Sequence, residues 1–407
     1  MSTSMMYHTF GARTYRYVTT KFKGGAAYHH LEKKEHLRRC AECRSRDITF
    51  DSVNEVTVKT VPCGFKETFL VLRLRVLKCR SCGAKRQESR DVAQPRKSYT
   101  RMFANYVLGL VKQMTIKAVA QHLRVGWDLV KKILKGSLQR KARRRSWRKV
   151  RRIAIDEIAI RKGHDYMTVV YDLDTGQVLY GAEGKGKKSL EPFFRRLRHA
   201  RAKLEAVAMD MSEAYVKAVE EYWPRPVAIV HDHYHLVSNM NEVITNVRRL
   251  EQKRLEGEDK QTLKGSRYLL LYARERLEKE KPEKIPRLEA LLAANEPLHK
   301  VYLLKEDLRL FFWGQESKAE ARTFIENWVE QTKALDLKPL TTFAETVESR
   351  IEHIISWYDH PITTGPLEGV NNKIKVLKRV AYGYRDIEFF VLRLLFLHET
   401  KVNLAGA

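Results

Sequence analysis

Three carboxylates in this chain stand where acidic side chains are hard to account for. Asp156 lies in "IAIDEIAI", among Ile153, Ile155, Ile158 and Ile160. That run reads as a buried strand, where a carboxylate is costly unless it is paired or bound to a cation. Its neighbour Glu157 points to the other face of such a strand. Asp210 ends a second apolar run, "AVAMDMS", just before a helical pattern. It is either a helix N-cap, a role Ser212 fills equally well, or a second inward carboxylate. Glu368 is the one acid in "TTGPLEGVNNKIK" (363–375), between Pro366 and Gly369, which shape the entry to a helix. The macrodipole can hold a Glu in a first helical turn, and so can a metal. If the strands of Asp156 and Asp210 are neighbours, their charges repel unless a cation lies between them.

The cysteines offer a second kind of chemistry. Cys40-Ala-Glu-Cys43 and Cys79-Arg-Ser-Cys82 are two C-x-x-C units, 35 residues apart. Two such knuckles complete a tetrahedral thiolate site for structural Zn²⁺, and a β-hairpin arm can span the gap. A redox dithiol is the rival for either unit alone. Cys63 has no partner in this scheme and reads as a small buried apolar residue. His231, His233 and His235 in "HDHYH" alternate, so on a strand they would share a face and offer a further zinc site.

The elements that must position these residues follow from pattern. Residues 1–38 are basic and irregular and read as an N-terminal arm. Residues 39–95 hold all five cysteines and a strand, "FLVLRLRVL" (69–77), with Leu70, Leu72, Leu74 and Val76 on one face, and form the zinc ribbon. Residues 96–149 turn helical. "TIKAVAQHLRVGWDLVKKILKG" (115–136) has helix-turn-helix rhythm. Thr115 is the N-cap, Gly126 sits in the turn, and Trp127, Val130 and Leu134 open the buried side of the second helix. Residues 150–235 give strands at 151–160, 166–174, 177–183, 205–211 and 225–232, with helices at 188–201 and 212–223, an α/β core on a mixed sheet. Residues 236–345 read as all-α, and 346–407 as closing helices. "GAEGKGKK" (181–188) approaches a phosphate-binding loop, but Lys188 stands where a Ser or Thr is needed, so it reads as a basic turn.

Charge bounds the partner. The chain has 407 residues, 77 Lys plus Arg against 49 Asp plus Glu, and a formal charge of +28. Such a chain seeks an anion, and nucleic acid is the default. Residues 131–152 hold 12 Lys or Arg and no acid. Lys131, Lys132, Arg143, Arg144 and Arg145 are the expected phosphate contacts there, with Trp127 beside them. Lys373, Lys375, Lys378 and Arg379 follow Glu368. "FFVLRLLFL" (389–397) is too short to span a bilayer and no secretory signal opens the chain, so no membrane partner is expected and the setting is cytoplasmic.

The order Asp156, Asp210 and a distant Glu368 is similar to that of the DDE transposases, which have an RNase-H-like fold. "IDEIAIRKGHDYMTVVYDLDTGQVL", "AMDMSEAYVKAV", "HDHYHLV" and "GPLEGVNNKIKVLKRVAYGYRD" resemble, more narrowly, the ISL-three family of bacterial insertion-sequence transposases. The paired C-x-x-C units and the helix-turn-helix also look like that family, so the likeness covers nearly the whole chain. One departure is "TTGP", where an Asn more usually precedes the Leu-Glu-Gly. The resemblance implies a multidomain α+β protein: zinc ribbon, helix-turn-helix and an RNase-H-like core with an all-α insertion. The 158 positions from Asp210 to Glu368 agree with an insertion.

By the same resemblance Asp156, Asp210 and Glu368 are the catalytic triad, and Asp232 and His235 form a supporting D-x-x-H unit rather than a zinc site. Two Mg²⁺ (or Mn²⁺) ions per active site are implied, Asp156 bridging them and Asp210 and Glu368 holding one each. The partners implied are the inverted-repeat ends of an insertion sequence and target DNA, met as a homodimer or larger assembly on the bacterial nucleoid. The rivals are an RNase-H-like nuclease without strand transfer and a domesticated DNA-binding protein. Trp313 and Trp328 are candidates for stacking on flipped bases, with core packing the simpler role.

Overall fold

The computed structural model describes residues 3–161, 165–255 and 263–399, apart from the side chains at 3, 312, 313 and 366. It divides into two compact units, residues 1–144 with 398–407, and residues 145–397.

The first unit is built on five strands: β1 (Tyr15–Lys23), β2 (Ala26–Lys33), β3 (Ile48–Cys63), β4 (Lys66–Cys79) and β5 (Lys85–Gln87). Their order is β1-β2-β4-β3, with β5 paired to β4. The expected irregular arm is therefore wrong. Residues Thr3–Phe10 form a helix, α1, and β1 and β2 belong to the sheet. Met6, Phe10, Tyr15 and Leu31 are buried against Leu70 and Leu72 of β4. Glu32 of β2 joins neighbouring strands, pairing with Arg16 of β1 at 2.7 Å and Arg73 of β4 at 2.6 Å. Leu70, Leu72 and Leu74 line the buried face as expected. Cys63 does not; it is exposed at the β3–β4 turn, because the hairpin tip has no layer to cover it.

Three helices follow, α2 (Arg101–Leu110), α3 (Ile116–His122) and α4 (Trp127–Arg144). The Thr115 hydroxyl caps α3 by accepting the Ala118 N–H at 3.1 Å. Val119, Leu123, Val130 and Leu134 are buried. In the turn Arg124 takes the left-handed backbone (φ 49°), so Gly126 is not the residue that makes the bend. Trp127 is not on the buried side. It is 46% exposed, with the Lys131 ammonium 5.3 Å from its ring.

The second unit holds a sheet of order β10-β9-β6-β7-β8. β6 (Arg152–Ala159), β7 (Tyr166–Asp172) and β8 (Gln177–Glu183) run antiparallel, whereas β9 (Ala206–Met209) and β10 (Ala228–His231) lie parallel to β6. α5 (Glu191–His199) and α6 (Glu213–Tyr222) cover one face, where Ile153, Ile155 and Val207 meet Phe193, Phe194 and Val219. Among the described residues, β10 is followed by α7 (His233–Arg254), α8 (Arg267–Leu271), α9 (Arg274–Glu280), α10 (Ile285–Ala294), α11 (Glu296–Gly314), α12 (Lys318–Lys333) and α13 (Lys338–Glu348). Among the described residues of 236–345 there is no strand, as the helical spacing predicts. Trp328 is buried there and its indole N–H donates to the Leu304 carbonyl at 2.9 Å, so packing is its role. The Trp313 side chain lies outside those described.

After α14 (Ile351–Ile355), α15 (Gly365–Val380) and α16 (Ile387–Leu395) return to the sheet. Leu367, Ile374 and Leu377 of α15 pack on Ala154, Ile158 and Ala208, the face opposite α5 and α6. Each such buried side chain contributes about 1.5–3 kcal/mol, which fixes α15 firmly. Gly369 lies inside this helix, not at its entry as the sequence suggested.

Candidate active site

Strand register brings acidic residues into a row. β6 and β9 pair from Arg152–Ala206 to Ala154–Ala208, and the same offset of 54 carried two residues further would set Asp156 level with Asp210. β9 and β10 pair as far as Met209–His231, and the next residues are Asp210 and Asp232. Partners at one register position of parallel strands point to the same side of the sheet. Asp156 thus lies on β6 two residues past its last pairing with β9, Asp210 and Asp232 directly follow β9 and β10, and the Asp156 charge acts on Asp210.

Helix α15 hangs from the two outer aspartates. The Thr364 N–H donates to Asp232 Oδ2 at 2.6 Å, and the Thr364 hydroxyl donates to the same oxygen. Asn371 Nδ2 donates to Asp156 Oδ2 at 2.7 Å, and Tyr171, buried on β7, donates its hydroxyl to Asn371 Oδ1 at 2.7 Å. Positions 364, 368 and 371 share one stripe of a helix. Between the two positions tied to Asp232 and Asp156, the same stripe carries Glu368, which is exposed. The residues of the "TTGP" departure thus have a clear task in this chain. The three candidate carboxylates are aligned but not closed. Among the described residues the four cysteines are the one acid, thiol or imidazole group of three or more whose ligand atoms all lie within 4.8 Å.

Asp210 is the strained member of the row. Burial raises its pKa, and the Asp156 charge adds to that; the Ser212 N–H and His235 oppose it. The Ser212 N–H donates to Asp210 Oδ1 at 3.1 Å. Buried carboxylates that repel each other suit a divalent cation with oxygen ligands. A carboxyl whose pKa is raised on folding contributes stability below its unfolded pKa, and that contribution is lost as pH rises through the folded pKa. At neutral pH without divalent cations, Asp210→Asn should therefore melt higher than the native chain. The difference should vanish below the unfolded Asp range. Melting curves across pH check this, and equal Tm at neutral pH would contradict it.

Asp232 is fully buried and also caps α7, accepting the Tyr234 N–H at 2.8 Å. The chain turns there, so His231 ends a strand whereas His233 and His235 lie in the first turn of α7. The alternating-strand zinc arrangement is therefore not formed. His235 acts on Asp210 instead. Burial holds His231 neutral, its pKa lowered to about 3. Arg350, which sequence patterning did not single out, donates to the Met211 carbonyl and puts a positive charge near Asp210. Asn371 was also missed, although its place three residues after Glu368 was a usable signal.

The four cysteines meet as the spacing predicts. Pairing of Ile48 with Cys79 closes the open end of the β3–β4 hairpin and brings the knuckles together. Cys40 and Cys82 Sγ are 3.6 Å apart, and Cys43 and Cys79 Sγ 3.5 Å. Backbone N–H groups, first that of Cys82, lower the Cys79 thiol pKa to about 6. The N–H of Cys43 likewise lowers that of Cys40. The donor set is that of a tetrahedral zinc centre.

Comparison with known proteins agrees along the chain. A family model for a transposase DDE domain of the ISL3 type matches residues 153–394. The helix-turn-helix domain of transposase family ISL3 matches 88–136, and the zinc finger of the IS204/IS1001/IS1096/IS1165 transposases matches 36–82. The transposase for insertion sequence element IS1001 of Bordetella parapertussis is 34% identical over 87% of this chain and 87% of its own length. This chain belongs to the ISL3 family of transposases. The IS1557 transposase of Mycobacterium tuberculosis is 27% identical over 91% of the chain and 88% of its own length. The Drosophila P element transposase strand transfer complex aligns over 61% of the chain and 77% of its own, at 9% identity and TM-score 0.32, too remote to argue from.

The ISL3 transposase is thus a DDE enzyme with a zinc ribbon, a helix-turn-helix and an RNase-H-like core. No described helix is long and apolar enough to cross a membrane. Of the basic residues picked from sequence, Lys132, Arg143 and Arg144 of α4 and Lys373, Lys375 and Arg379 of α15 are exposed. Arg145 is not available in the same way: its guanidinium donates to the Val178 carbonyl at 2.6 Å and to Gln177 Oε1 at 2.8 Å. Lys378 donates to the Ala159 carbonyl, an anchor for α15. Tyr382 is fully exposed with a left-handed backbone (φ 52°), just after α15.

Proposed function

We propose that Asp156, Asp210 and Glu368 are the metal-binding carboxylates of this transposase, holding two Mg²⁺ (or Mn²⁺) ions, with Asp156 shared between them. The observation that supports this reading is the hydrogen bond to Asp156 from Asn371, one turn after Glu368 on α15, with the Asp156 charge acting in turn on Asp210. Such ions activate the attacking water or 3′-hydroxyl and stabilise the leaving oxygen of an in-line displacement at a phosphodiester. Asp232 and His235 support the site, Asp232 by fixing the start of α15 and His235 by its charge interaction with Asp210.

The DNA is the pair of inverted-repeat ends of the protein's own insertion sequence, then a target. The zinc ribbon and helices α3 and α4 hold the ends, with Trp127, Lys131 and Lys132 at the head of α4. Lys373, Lys375, Arg379 and the exposed ring of Tyr382 line the approach to Glu368. Two or more copies act together on the paired ends, in the cytoplasm and at the nucleoid. The test is to incubate purified protein with labelled duplexes carrying the ends and to map the products. Joined products support transposition; nicked ends that never join would favour a nuclease.

The grip of α4 is electrostatic, so it has a salt signature. Replacing Arg143 and Arg144 together with Ala should weaken binding to specific and scrambled DNA alike. The log-affinity against log-salt slope should flatten by about 0.9 for each phosphate that the variant no longer neutralises. Sequence preference should persist if Trp127 to Lys135 read the bases. Titrations at several salt concentrations measure this, and an unchanged slope would mean that the two arginines do not touch DNA.

A further inference from the structure

We infer that Asn371 is a positioning residue that sets the affinity of the site for divalent cations. The inference rests on the assignment of Asp156 and Glu368 as metal ligands, and adds a part that assignment does not contain. Asn371 reaches from α15 to β6, across 215 positions of sequence, to donate to Asp156 Oδ2 at 2.7 Å. The other oxygen of Asp156 accepts the Glu157 N–H, also at 2.7 Å. The carboxylate plane is therefore fixed at both ends. Asn371 itself cannot turn over. Tyr171 donates to its Oδ1, which assigns the amide nitrogen to Asp156 and the oxygen to Tyr171. Tyr171 is fully buried on the neighbouring strand β7.

The consequence reaches Glu368. Asn371 lies one helical turn after it on the same stripe, and Thr364 lies one turn before it. The Thr364 end is tied to Asp232 and the Asn371 end to Asp156. Together with the buried Leu367 and Ile374, these two bonds hold the turn of α15 that carries Glu368. A metal site needs its ligands pre-aimed, because groups that orient the ligands are worth about 10–100-fold in metal affinity. Asn371 serves two ligands at once: it aims Asp156 directly and Glu368 through the helix.

The test is metal binding without DNA. Mn²⁺ is titrated into the full-length chain and free Mn²⁺ is followed by electron paramagnetic resonance, for the native chain, Asn371→Ala, Tyr171→Phe and Asp156→Asn. Asn371→Ala should raise the dissociation constant about 10–100-fold. Tyr171→Phe, which removes one hydroxyl and little volume, should shift it the same way by less. In cleavage assays the Mn²⁺ needed for half-maximal rate should rise in parallel, while DNA-end affinity stays at the native level. Native Mn²⁺ affinity in both Asn371→Ala and Tyr171→Phe would overturn the inference. The underlying assignment fails separately: Asp156→Asn that still binds Mn²⁺ like the native chain would remove the site itself.

Discussion

Asp156→Asn, Asp210→Asn and Glu368→Gln should each lower cleavage of end-bearing DNA by at least about 10³-fold, equivalent to ~4 kcal/mol of lost transition-state stabilisation. Binding to the ends should stay within a few-fold of the native chain. The split is expected because the three groups lie around the sheet ends of the second unit, whereas the DNA grip is assigned to the ribbon and α4 of the first. The substitutions keep shape and remove charge. Asn at 156 offers one oxygen where both the Glu157 N–H and Asn371 Nδ2 now donate to the carboxylate, and Gln at 368 is on an exposed surface. Melting curves of the three variants separate any loss of folding from the loss of chemistry. Parallel cleavage and band-shift titrations measure both quantities. Any one variant that cleaves at near-native rate removes its residue from the set.

The second large effect concerns zinc. The chain should hold one Zn²⁺ through Cys40, Cys43, Cys79 and Cys82, and Cys79→Ser should lose it. Structural zinc sites contribute about 10–16 kcal/mol of apparent binding free energy to the peptides that they fold. Without the metal, the hairpin end where Ile48 pairs with Cys79 loses its closure. Specific end binding should then fall far more than the metal-dependent chemistry. Metal analysis of protein purified without chelator gives the stoichiometry, and near-UV circular dichroism follows the ribbon. No zinc in the native protein, or full zinc in a chain with all four cysteines changed to Ser, would contradict the assignment.

What was legible in the sequence followed period and spacing. The β-branched and aromatic runs around Asp156 and in "YMTVVYDLD" gave β6 and β7 to within a residue or two, since short apolar runs of this kind suit strands covered on both faces. The cysteine pairs predicted their own meeting, because a hairpin is a local structure. Strand order was less accessible. That the Asp156 charge reaches Asp210 depends on β9 packing against β6 rather than on any neighbouring residues. The links from Thr364 to Asp232 and from Asn371 to Asp156 span 132 and 215 positions, and no local pattern encodes them. Charge misled in places. The basic N-terminal stretch is a strand pair because Tyr15 and Leu31 are buried against Leu70 and Leu72 of β4. Arg145 looked like one of three phosphate contacts and instead holds β8. Amphipathic residues misled too: Trp127 sits outward because Val130, Ile133 and Leu134 already fill the buried side of α4.

The mechanism turns on direct contact between Asp156 and the catalytic metal. Asp156→Cys probes that contact, because a thiolate is a poor ligand for Mg²⁺ and a good one for softer cations. Cleavage of a labelled end by this variant is measured in Mg²⁺, in Mn²⁺, and in Mg²⁺ with added Cd²⁺, beside Asp156→Asn. Direct ligation predicts no cleavage by Asp156→Cys in Mg²⁺, recovery in Mn²⁺ or with Cd²⁺, and no recovery for Asp156→Asn under any condition. Native-like cleavage by Asp156→Cys in Mg²⁺ alone would contradict it.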